Sequence, residues 1–240
     1  MPDFVRTVAA YALFPALAIV VGAVLAAFRP PSPRLRSVFQ HAAAGVVFAA
    51  VAGEVLPEAK AVHDVPGIIV GFAAGVAVML AVRKLTETPA GEAGSGESPK
   101  GLVVAVGVDL VIDGLLVGIG FAAGAEVGLL VTIALTLEVL FLGLATAAAL
   151  DRAGVRPPRA IATVVGLGAL LVVSAVVGAV ALGGLSGASF AAVLGFGSAA
   201  LLYLVTEELL VEAHEVPETP LTTAAFFVGF LALLVIEMLA

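Results

Sequence analysis

Polar positions punctuate this chain instead of alternating with apolar ones. Between them lie eight long apolar stretches: Val8–Phe28, Ser37–Leu56, Val65–Val82, Gly101–Ala122, Val127–Leu150, Arg159–Leu182, Ala188–Val211 and Leu221–Met238. Each reaches or approaches the roughly 20 residues with which a helix crosses the hydrocarbon core of a bilayer. The pattern predicts an all-α polytopic membrane protein of eight transmembrane helices. The first stretch is too long for a signal-peptide core and lacks a basic leader, so it reads as a retained span. Glycine and alanine recur at intervals of three or four, as in Gly71/Gly75 and Gly114/Gly118. Small residues let helices approach closely in lipid, and these positions read as packing seams.

Composition agrees. Of 240 residues, 62% are apolar and 12% charged, with mean hydropathy +1.20, against about 45–50% and about 25% in globular chains. A water-soluble enzyme domain is excluded. Without cysteine there is no disulfide, thiolate ligand or thiol nucleophile. The net charge of −7 argues against a nucleic-acid partner.

The basic residues set an orientation. Arg29, Arg34 and Arg36 fall between spans one and two. Arg83, Lys84 and Lys100 flank the next connector on that side, and Arg152, Arg156 and Arg159 lie between spans five and six. Only Arg6 and Lys60 fall opposite. By the positive-inside rule these connectors are cytoplasmic and both termini outside, in a plasma or inner cell membrane. The Gly/Ser/Glu/Pro-rich stretch after span three reads as a flexible cytoplasmic loop. The expected organisation is spans one to three in 1–84, that loop in 85–100, a central pair in 101–150 and spans six to eight in 151–240.

A short motif recurs. Span two ends Glu54-Val-Leu-Pro-Glu58-Ala59 and span seven ends Glu208-Leu-Leu-Val-Glu212-Ala213. The two spans run in opposite directions, so spans 1–3 and 6–8 would form an inverted pair around helices 4 and 5. Inverted repeats are a transporter signature, with sites near the midplane.

Carboxylates buried in apolar sequence supply the chemistry. Asp109 and Asp113 sit one turn apart on one face of span four, and Glu138 lies at similar depth in span five, near Thr132 and Thr136. A charge at that depth costs at least about 2.5–3.5 kcal/mol on insertion scales. No lysine or arginine lies within a span to offset it. Either the acids are protonated and hydrogen-bonded between helices, or a cation is their partner. Three carboxylates make the oxygen-rich shell that hard divalent ions prefer. His41, Glu54, Glu207, Glu208 and His214 are candidate pathway residues nearer the span ends. Glu212, Glu215 and Glu218 extend the acidic cluster as a solvated face or a cation exit funnel.

With these residues in view, the chain resembles the ZIP (Zrt-, Irt-like) metal transporters over nearly its whole length. The likeness is carried by the eight spans, HAAAGVVFAAVAGEVLPEA in span two, AALLYLVTEELLVEAHE in span seven and GFLALLVIEML in span eight. The metal centre departs from the family pattern. Where the family has HNxPEG, residues 109–114 read DLVIDG, and the related motif of span five becomes EVLFLG at 138–143. The resemblance implies that one metal position keeps Asp109, Asp113 and Glu138. The adjacent position, carried by Leu110, Val139 and Val165, has lost every ligand.

The resemblance therefore implies a carrier moving a divalent cation of the Zn/Fe/Mn class towards the cytoplasm through one carboxylate-rich site. Loss of imidazole favours harder ions such as Mn²⁺, Fe²⁺ or Mg²⁺. The metal is cargo and no organic cofactor is called for. The bilayer is the other partner, and a second copy of the chain is a candidate for a homodimer. Two other readings remain open: a proton or monovalent-cation carrier on the same fold, and a non-transporting structural or sensor protein. An intramembrane aspartyl protease fits poorly, because its facing carboxyls normally come from two helices and Asp109 and Asp113 share one. The chain is not expected to be an enzyme.

Overall fold

The computed structural model describes residues 2–28, 32–86, 99–182 and 184–239. Arg29 and loop residues 87–98 lie outside the described residues. The protein is an all-α polytopic membrane protein, with eight helices long and apolar enough to span a bilayer. We number them α1 (Pro2–Phe28), α2 (Pro33–Ala61), α3 (Val65–Thr86), α4 (Pro99–Ala123), α5 (Ala125–Arg152), α6 (Pro157–Leu182), α7 (Gly187–Ala213) and α8 (Pro220–Leu239).

Several helices begin before the apolar run does. Proline opens α2, α4, α6 and α8, at the position where a missing N–H costs nothing. Ser32 caps α2 by accepting a hydrogen bond from the Leu35 amide at 3.3 Å. Large apolar side chains such as Leu13, Phe14 and Leu17 on α1, and Phe227, Val228 and Leu231 on α8, face outwards. That is the surface lipid would cover.

The packing has the internal symmetry that the short repeat suggests. The main contacts pair α1 with α5 and α4 with α6, α3 with α7 and α8 with α2, α1 with α6, and α4 with α5. Exchanging α1–α3 with α6–α8, and α4 with α5, maps this set onto itself. Glycine makes each seam tight. A β-carbon at Gly22 would run into Leu140 O, at Gly114 into Leu171 O, at Gly71 into Ala192 O and at Gly45 into Phe226 O. Small residues thus bring backbones together where no hydrophobic force separates helix from lipid.

A second feature obeys the same relation. Both α2 and α7 contain a π turn, at Val51–Val55 and Leu204–Leu209. When Glu54 is laid on Glu208, the first π turn falls on residues 205–209, inside the second. Pro57 follows the turn in α2 and cannot donate to the carbonyl one turn back, whereas α7 has no proline there. A π turn inserts one residue into the helical register and re-aims the side chains beyond it.

Candidate metal centre

Depth in the helix, not loop geometry, builds this site. The α4 register points Asp109 and Asp113 to the same side, and the short turn at Gly124 returns α5 antiparallel so that Glu138 meets them. Each of the three residues offers a carboxylate oxygen, and those oxygens lie within 4.8 Å of one another. Asp113 is 1% exposed and Glu138 4%. Among the described residues, Asp113 Oδ2 and Glu138 Oε2 are buried without a hydrogen-bond partner. An unsatisfied buried polar atom costs about 1–3 kcal/mol, more when charged, so a proton or a cation at these oxygens would relieve the arrangement.

The site is reached from one side. A cavity of about 520 Å³ opens between the ends of α2, α3, α4, α5 and α7 that carry the basic connectors. Asp109, Thr146, Glu207, Glu208 and Glu212 are among the residues lining it. The Glu208 carboxyl lies beside that of Asp109. Thr146 Oγ1 is buried without a partner. Towards the opposite side lies a gap of about 10 Å³, walled by residues including Val55, Leu116, Ile119, Val127 and Leu194. It is at the limit for a single water and offers no polar partner to hold one.

The remaining sequence candidates divide among different places. Glu207 pairs with Arg83 at 2.8 Å and Arg36 with Glu215 at 2.6 Å, both at the cavity mouth. His41 lies against His214, with ring centroids 5.1 Å apart. Glu54 is at the far end of the bundle, close to Glu237 of α8, and the apolar gap separates it from the trio. The candidates therefore form two mouths and a centre, not one continuous line.

Two expectations change. Thr132 and Thr136 lie near Glu138 in sequence, but their hydroxyls donate to Gly128 O and Thr132 O of their own helix, both at 2.6 Å. Thr136 also lines an apolar groove between α1 and α5, so neither threonine joins the carboxylates. Leu110 and Val139 are fully buried, as the adjacent position requires, but Val165 is 49% exposed on the outer face of α6. The inward residue is its neighbour Val164, at 0%, because one residue turns a helix by about 100°.

Gln40 and Thr146 were missed in the sequence. Gln40 Nε2 donates to Glu212 and its Oε1 is buried without a partner. Gln40 precedes His41, and Thr146 lies eight residues beyond Glu138. Polar residues inside apolar spans were the available signal for both. No family model and no curated protein sequence matches the chain.

Proposed function

We propose that this chain is a ZIP-like membrane carrier that moves a divalent cation of the Zn/Fe/Mn class towards the cytoplasm. Asp109, Asp113 and Glu138 form its single midplane site, and the basic-side cavity is its cytoplasmic vestibule. One observation carries the reading: three carboxylates converge at mid-depth, Asp113 and Glu138 each with a buried unpartnered oxygen, and among the described residues no cationic side chain joins the cluster. A cation supplies the missing partner, with the oxygen shell that hard divalent ions take. Uptake of Mn²⁺ and Zn²⁺ into proteoliposomes tests it. Asp113→Asn and Glu138→Gln, each inserted at wild-type levels, are expected to reduce flux to background. Wild-type flux in either variant contradicts the assignment.

The closeness of the Asp109 and Glu208 carboxyls favours a second reading. A chain of carboxyls from Glu138 through Asp113 and Asp109 to Glu208 could pass a proton instead of a metal. Dissipation of a pH gradient in metal-free vesicles, lost in Asp109→Asn, would select that reading over the first.

A further inference from the structure

Among the described residues, a cluster outside the carboxylate centre combines nitrogen and oxygen donors. His41, His214 and Glu218 each offer a ligand atom, and these atoms lie within 4.8 Å of one another. His41 comes from the first turns of α2, His214 from just beyond α7 and Glu218 from the connector to α8. The Ser37 hydroxyl donates to Ala213 O at 2.7 Å and so locks α2 to the end of α7 at this level.

The imidazoles are oriented as ligands would be. His41 Nδ1 meets the carbonyl of Ser37 at 2.8 Å, and His214 Nδ1 meets the carbonyl of Leu210. A carbonyl only accepts, so Nδ1 donates in each ring and Nε2 is the nitrogen turned to the cluster. A backbone carbonyl behind Nδ1 is the usual support that fixes the tautomer of a metal-bound histidine. The His214 Nε2 lies 2.5 Å from Glu218 Oε1, a contact made by a proton on Nε2 that a bound ion would replace. The ring spacing fits too. With metal–nitrogen bonds of about 2.0–2.1 Å, two imidazoles on one tetrahedral ion have centroids roughly 5 Å apart, and here they stand at 5.1 Å. A tetrahedral ion would move the nitrogen and carboxylate oxygen to roughly 3.3 Å from each other. Glu218 is 56% exposed and can make that shift.

We infer that His41, His214 and Glu218 form a second metal site, at the basic-side mouth, that takes a zinc-class divalent ion through two imidazoles and one carboxylate. Two histidines with a carboxylate suit zinc better than magnesium or manganese. The site stands on these contacts alone. Its role as the station receiving ions that leave the midplane rests on the carrier reading above.

The test uses the full chain, purified without a histidine tag and carrying Asp113→Asn and Glu138→Gln to remove the midplane ligands. Zinc chloride is titrated and the bound metal examined by X-ray absorption. The expected shell contains two imidazole nitrogens, and excess magnesium does not displace the zinc. Adding His214→Ala, at an exposed position that leaves the helix core intact, is expected to weaken zinc binding at least about 10-fold, the lower cost of disturbing even an outer-shell partner. A zinc shell without imidazole, or unchanged affinity in His214→Ala, overturns the second site. Neither result touches the midplane reading, which is scored by flux in the single variants.

Discussion

The two ends of this helix bundle are built from the same fold unit and behave differently. Towards the basic connectors, Arg36 of α2 and the acids Glu207, Glu208 and Glu212 of α7 line a cavity of about 520 Å³ that leads to Asp109. Towards the termini, the equivalent space has closed to about 10 Å³ of apolar wall, and Glu54 and Glu237 sit beyond it. The repeat that relates α1–α3 to α6–α8 makes the two ends exchangeable in principle. For the carrier proposed above, one end open and the other shut is the asymmetry that alternating access would use.

The largest expected contrast uses the absence of native cysteine. Ala145→Cys, in the wall of the open cavity, should react rapidly with a charged thiol reagent added from the basic side. Ile119→Cys, 5% exposed beside the closed gap, should stay unreacted from either side. Equal rates would break the comparison. Labelling in sealed vesicles of each orientation also reads which side of the membrane the cavity faces.

A second contrast concerns the seams. A leucine at Gly118 would meet the backbone of Ala175 and Ala179, so Gly118→Leu should destabilise by about 1–3 kcal/mol or more. Gly166 of the same helix layer has open space where its β-carbon would stand, and Gly166→Leu should stay within about 0.5 kcal/mol of wild type. Thermal unfolding in detergent separates the two. Smaller still is the selectivity change in Asp109→His. One imidazole in place of a carboxylate should raise the zinc-to-manganese binding ratio several-fold, as measured by competition. An unchanged ratio would place Asp109 outside the coordination shell.

Run length alone made the eight spans legible, since little else in water-poor surroundings produces apolar stretches of that size. The carboxylate trio was legible for a related reason: Asp109, Asp113 and Glu138 are conspicuous where any charge is costly. What stayed hidden depends on register. Val165 was assigned inward by motif alignment, but an all-apolar span carries no polar marker to show which face turns in. Glu208 reaches Asp109 only through an α7 whose π turn shifts the register, and no proline announces that turn. The pairing of His41 with His214 joins residues from opposite halves of the chain, which no local pattern can reveal.

Equilibrium binding of Mn²⁺ to the purified chain tests the central claim most directly, because manganese favours carboxylate oxygen over imidazole. The account predicts one manganese per chain in the wild type, in an all-oxygen shell, and none in Asp113→Asn or Glu138→Gln at the same concentration. One manganese bound equally by wild type and both variants would contradict it.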